Sequence, residues 1–226
     1  MDIEICCSSI QSAANAQAAG ATRIELCQNL NEGGTTPSYA TIRQCVEELH
    51  LRVFVLIRPR PGNFVYNELE IQNMLEDVRI CKELGVAGIV VGFLLEDGSI
   101  DTDLTRRFVA AAAPIPVTFH RAFDRCKDWS KALEEVIACG CRRILTSGCH
   151  ETALEGKEVL KQLVQQAGGR ITILAGSGIT PDNVREIITH TGVREVHGSC
   201  KALKDNSYME TSKEEVALLL KNAIHY

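Results

Sequence analysis

One phrase recurs along the chain: a helical pattern, a glycine, two to four residues, then an apolar strand. It occurs as "AAGATRIEL" (18–26), "ELGVAGIVVG" (83–92), "ACGCRRILTSG" (138–148) and "HTGVREVHGS" (190–199). A glycine just past a helix suits the C′ position, where φ is commonly positive. The phrase is therefore a helix-to-strand connection, used four times. Three further stretches lack the glycine but are rich in β-branched residues: "RVFVLIRPR" (52–60), "IPVTFHRAF" (115–123) and "RITILAGSG" (170–178). With the N-terminal "IEIC", about eight strands are predicted, beginning near residues 3, 24, 53, 88, 116, 143, 171 and 195. Their spacing is that of a β–α unit.

The segments between these strands read as helices. "SSIQSAANAQAAG" is alanine-rich and offers a serine N-cap. "TTPSYATIRQCVEEL" and "TPDNVREIITH" each offer Thr then Pro, a cap followed by a preformed first helical position. "ELEIQNMLEDVRICKEL" spaces Ile71, Leu75, Val78 and Cys81 along one face. Eight alternating units predict an α/β fold, a single-domain (β/α)₈ TIM barrel over residues 1–226. An open doubly wound sheet would place G-x-G-x-x-G after the first strand, where this chain reads "CCSSIQ".

Composition narrows the partners. A formal net charge of −5 argues against a nucleic-acid footprint. No run of about 18 apolar residues marks a membrane span. "MDIEICCSSI" has neither the basic nor the apolar region of a secretory signal. Ten cysteines is a high count, yet C-x-x-C is absent, so reduced, mostly buried thiols are expected.

In such barrels the chemistry lies at the C-terminal ends of the strands. Alternation in "IEIC" and "RIELC" opposes the aliphatic residues to Glu4, Cys6, Glu25 and Cys27. With the aliphatics facing the helices, those four face the barrel interior. The third strand ends in Arg58 and Arg60, and the fifth carries Thr118 and His120 on one face. In the eighth, Glu195, His197 and Ser199 share a face opposite Val196 that is expected to point inward. His50, His190 and His225 are read as exposed or capping.

A buried glutamate is costly unless paired or protonated. The group therefore reads as a deliberate polar cup, and several uses are open. In acid–base catalysis, Glu25 or Glu4 is the base, His120 the acid, and Arg58 and Arg60 hold an anionic group bidentately. Glycine-bearing turns after strands 6, 7 and 8 would expose backbone N–H groups to an anion. They contribute Ser147, Gly148, Gly176, Ser177, Gly178, His197 and Ser199. The ligand would be a small phosphorylated or carboxylated metabolite. In soft-metal binding, Cys6 and Cys27 end neighbouring strands about 4.8 Å apart, close enough to share one Cu(I) ion or to form a disulfide. A structural ion-pair plug would use the same charges without a ligand.

The stretches "RIELCQNLNEGGTTPS", "VFVLIRPRPGNFVY", "VTFHRAFDRCKD", "ILTSGCHETALEG" and "ILAGSGITPDN" resemble the CutC copper-homeostasis family, in order, from residue 3 to about 200. The resemblance implies a cytoplasmic (β/α)₈ barrel that forms homo-oligomers, dimers foremost. It implies copper as the bound ion, with Cys6 and Cys27 as its ligands. Two departures stand out. The segment after strand 8, "CKALKDNSYMETS", is shorter than is usual in the family, and the common "RPRGG" is "RPRPG" here. Pro61 stiffens that loop.

Overall fold

The computed structural model describes residues 1–205 and 207–224; His225 lies outside them. Eight parallel strands close into a barrel in sequence order. They are β1 (Asp2–Cys7), β2 (Arg23–Leu26), β3 (Arg52–Leu56), β4 (Gly88–Val91), β5 (Val117–Phe119), β6 (Arg143–Thr146), β7 (Thr172–Gly176) and β8 (Glu195–Gly198). Each predicted start lies at or next to an observed one. The helices are α1 (Ile10–Ala18), α2 (Tyr39–Glu48), α3 (Glu68–Leu84), α4 (Thr102–Ala112), α5 (Trp129–Ala138), α6 (Lys157–Ala167), α7 (Val184–Thr191) and α8 (Lys213–Ile224).

The barrel wall separates two apolar compartments. Ile3, Ile5, Ile24, Leu26, Val53 and Val55 point outward and pack beneath the helices in the larger one. Each such side chain contributes about 1.5–3 kcal/mol on burial. Inside the barrel, Cys6, Cys27, Phe54, Leu56 and Val90 form a smaller cluster. Phe54 fits there because Gly88, its partner on β4, has no side chain. A Cβ at Gly88 would stand 2.3 Å from Phe54 Cε1 and 2.8 Å from the Pro116 carbonyl.

Local signals hold in part. Ser9 caps α1 as expected. The four connecting glycines have positive φ: Gly20 98°, Gly85 76°, Gly140 88° and Gly192 75°. The two Thr-Pro caps are corrected. Helix α2 begins after Ser38, whose hydroxyl accepts from the Thr41 N–H, while Thr36 Oγ1 accepts from the Arg58 N–H. Helix α7 begins after Asn183, whose Oδ1 accepts from the Thr180 N–H. At α2 the serine nearer the helix takes the cap and leaves Thr36 to the preceding turn. At α7 no side chain caps the helix, and the Asn183 amide turns back to the Thr180 N–H and the Gly178 carbonyl.

Sequence periodicity predicts no strand beyond β8, but the next segment folds into a hairpin, β9 (Lys201–Lys204) and β10 (Tyr208–Thr211). Thr211 ties it to α1: its N–H donates to Ser12 Oγ and its carbonyl accepts from Asn15 Nδ2. No described helix is long and apolar enough to cross a membrane.

Candidate functional site

Strand register assembles the interior charges. Glu4 on β1 pairs with Arg23 on β2 and with His197 on β8, and Cys6 pairs with Glu25. Parallel pairing of inward-facing residues stacks these groups in two levels.

The lower level is an ion-pair plug. Arg23 is fully buried, with Nε 3.0 Å from Glu4 Oε2 and Nη2 2.5 Å from Glu195 Oε2. Arg143 Nε donates to the same Glu195 oxygen at 2.9 Å. Both guanidinium groups also stand over the Phe54 ring, at 5.7 and 5.0 Å. The alternation that placed Glu25 and Cys27 inside also placed Arg23 there, so this member was readable. Alternation in β8 likewise made Glu195 readable, whereas Arg143 gained its meaning only from the closure of the sheet.

The upper level opens to solvent. His197 Nδ1 lies 2.8 Å from Glu4 Oε1, and its Nε2 lies 3.7 Å from Glu25 Oε2. Cys6 Sγ donates to Glu25 Oε2 at 3.5 Å and lies 3.8 Å from Cys27 Sγ. Burial opposes ionisation of Glu4, but the His197 hydrogen bond and charge, with Arg23 and Arg143, hold its pKa below the usual carboxylate range. Burial pushes Glu25 up, against the pull of His197. Burial lowers His197, yet Glu25 and Glu4 outweigh it and raise the pKa. Cys6 is driven well above a normal thiol by its Cys27 hydrogen bond and by burial.

His120 plays a different part from the one expected. The imidazole that reaches Glu25 is that of His197. His120 Nδ1 accepts the Ala122 N–H at 3.1 Å, which leaves its proton on Nε2. Burial, then the Arg58 charge, push its pKa to about 3, so the ring is neutral at physiological pH.

The arginines expected to grip an anion brace loops instead. Arg58 Nη1 donates to the carbonyls of Glu32 and Gly34 at 3.1 and 2.8 Å, and Nη2 to that of Gly62 at 3.0 Å. Its guanidinium lies over the Phe64 ring. Arg60 bonds Glu70 at 2.5 Å and the Val65 carbonyl at 2.8 Å, over Tyr66.

The turn after β6 is already filled by a carboxylate of this chain. Asp124 accepts from the backbone N–H groups of Ser147 and Cys149, each at 3.1 Å, and from the Thr146 hydroxyl. Ser147 Oγ donates to it at 2.9 Å, and Gly148 N–H donates to Thr146 Oγ1. Ser147 and Gly148 thus hold Asp124, a residue sequence reasoning had not placed in that cradle. The turns after β7 and β8 are more open. Ser177, Gly178 and Ser199 line a cavity of about 1670 Å³ at the barrel mouth, together with Cys6, Glu25 and His197. Gly176 sits lower, where a Cβ would meet Leu145 Cδ1 at 2.5 Å. Lys201 and Met209 of the hairpin supply part of the cavity wall.

Fold and site together define a (β/α)₈ barrel with an ion-paired floor and a thiol-, carboxylate- and imidazole-bearing mouth. The chain belongs to the CutC family, whose model matches residues 1–202. It is 47% identical over 207 residues to a CutC family protein of Histophilus somni, covering 92% of this chain and 85% of that one. It is 44% identical over 216 residues to the human protein named copper homeostasis protein cutC homolog, covering 96% and 79%. The crystal structure of a CutC protein from Streptococcus agalactiae superposes with a TM-score of 0.84 at 38% identity, covering 88% of this chain and 98% of that one. A phosphoribosylanthranilate isomerase from Pyrococcus furiosus, at 13% identity and a TM-score of 0.65, shares the fold alone.

Proposed function

We propose that this chain serves copper homeostasis by holding cuprous ion at Cys6 and Cys27 in the barrel mouth. The observation that carries the reading is the 3.8 Å separation of the two sulfurs. Thiolates are the preferred ligands of a soft monovalent ion. With metal–sulfur bonds of about 2.3 Å, sulfurs this far apart subtend close to a tetrahedral angle. That leaves a place for a third donor. Cys6 Sγ, a Glu25 oxygen and a His197 nitrogen all lie within 4.8 Å of one another. Both thiols must lose their protons on binding, and the ion's charge offsets the cost that burial imposes. The family resemblance extends the reading to a cytoplasmic homo-oligomer.

The test is anaerobic competition for Cu(I) against a chromogenic chelator. Cys6→Ser with Cys27→Ser is expected to abolish uptake. A double variant that competes as well as the parent would rule these ligands out.

The Glu4–His197–Glu25 chain favours a second reading at the same mouth, acid–base chemistry on a small phosphorylated or carboxylated metabolite. Groups whose environments push their pKa values apart suit proton transfer. Ser177, Gly178 and Ser199 would then contact the substrate's anionic group. Mass action predicts thermal stabilisation by such a ligand. A screen of small phosphates and carboxylates that raises the melting temperature nowhere would reject this reading.

A further inference from the structure

Eight of the ten cysteines are buried; Cys126 and Cys149 are the two that are partly exposed. They lie on neighbouring loops at the C-terminal rim, outside the site described above. Cys126 follows the 3₁₀ turn Arg121–Arg125 that succeeds β5, and Cys149 lies in the turn after β6. One carbonyl brings them together. Phe123 O accepts the Cys126 N–H at 3.1 Å and lies 3.8 Å from Cys149 Sγ. Cys149 is held in the left-handed region, φ 60°, by its N–H bond to Asp124. That conformation turns its side chain back over the β5 loop. The two thiols perturb each other: the neighbouring Cys149 thiol holds Cys126 below the usual thiol range, while Cys126 and burial push Cys149 up.

We propose that Cys126 and Cys149 form a redox-active dithiol, oxidised by peroxide to an intrachain disulfide that staples the loop after β5 to the turn after β6. Cys126 is the attacking sulfur, because it is partly exposed and the neighbouring Cys149 thiol favours its thiolate against the cost of burial. That thiolate attacks the peroxide O–O bond, forming a sulfenic acid and releasing one water after proton uptake. The Cys149 sulfur then displaces the sulfenic oxygen as a second water. Two thiols lose two electrons and two protons, and one peroxide is reduced to two waters. The staple would fix Asp124, which lies between the two loops and lines the cavity beside Arg121. Oxidation outside the cavity would thereby rigidify one wall of it.

The test uses the full chain, reduced and kept metal-free with a chelator, then treated with limiting hydrogen peroxide. Remaining thiols are alkylated and the digest is read by mass spectrometry. A cross-linked peptide joining residues 126 and 149, two hydrogens lighter than its parts, is expected before any other thiol is consumed. Cys149→Ser is expected to stop at a trappable sulfenic acid on Cys126. Cys126→Ser is expected to leave Cys149 alkylatable at the same peroxide dose. Earlier formation of a Cys6–Cys27 link, or loss of both thiols without the 126–149 peptide, would overturn the proposal. Because the parent protein alone decides the principal outcome, a variant that folds poorly leaves the test intact.

Discussion

Nδ1 of His197 lies 2.8 Å from Oε1 of Glu4 across the β8–β1 seam that closes the barrel. The contact joins the last barrel strand to the first, so a site-forming pair is also a closure contact. Its Nε2 turns towards Glu25, and both carboxylates raise the histidine's pKa against the effect of burial. A raised folded-state pKa stabilises the fold fully below the unfolded value near 6.5, and the gain is lost as pH rises through the folded value. In Glu4→Gln, the His197 pKa followed by NMR titration is expected to fall. An unchanged titration would show that Glu4 does not hold the imidazolium.

Arg23 is the hinge of the ion-pair floor. Replacing it with methionine leaves buried Glu4 and part-buried Glu195 without their shared cation. Breaking a buried pair from one side costs about 3–5 kcal/mol. Urea denaturation of Arg23→Met should show a loss of that order. A variant as stable as the parent would remove the structural role assigned to the floor.

His120 gives an acid-side signature of the opposite sign. Its folded pKa of about 3 lies below the ordinary 6.5, so acid protonates the unfolded chain first. Its contribution is fully present above 6.5 and is lost as pH falls towards about 3. Melting temperatures of His120→Asn across that window should fall less steeply than those of the parent. Parallel curves would mean that His120 is not buried in its neutral form.

Gly88 tests the interior packing. A methyl there would press on the Phe54 ring and on the Pro116 carbonyl, and the backbone oxygen cannot rotate away. Gly88→Ala should cost about 1–3 kcal/mol, the range for overpacked cores. Thermal unfolding monitored by circular dichroism checks it.

Arg58 tests the loop brace. Arg58→Ala removes three donors from the carbonyls of Glu32, Gly34 and Gly62. Hydrogen exchange in residues 28–36 and 61–64 should speed up while the barrel strands stay protected. Unchanged exchange in those loops would assign their order to other contacts.

The barrel was legible because its signals are local and repeated. Four helix–glycine–strand phrases and alternating strands need no knowledge of distant contacts. The inward placement of Glu4, Cys6, Glu25 and Cys27 followed from the same alternation. The direction of Arg58 did not, because β3 is apolar on both faces and alternation there carries no information. The hairpin β9–β10 also escaped, since its exposed residues give no apolar period and its anchor is Thr211 on α1.

The sequence by itself determined the repeating β–α units, which faces of β1 and β2 carry acid and thiol, and the family to which the chain belongs. Only the tertiary structure decided which charges meet. It paired Glu4 with His197, gave Asp124 the cradle expected for an anion, and spent Arg58 on loop carbonyls. Backbone periodicity is fixed by neighbours in sequence. Ion pairing and hydrogen bonding depend instead on which strands closure makes adjacent, and on burial that makes an unpaired polar group costly.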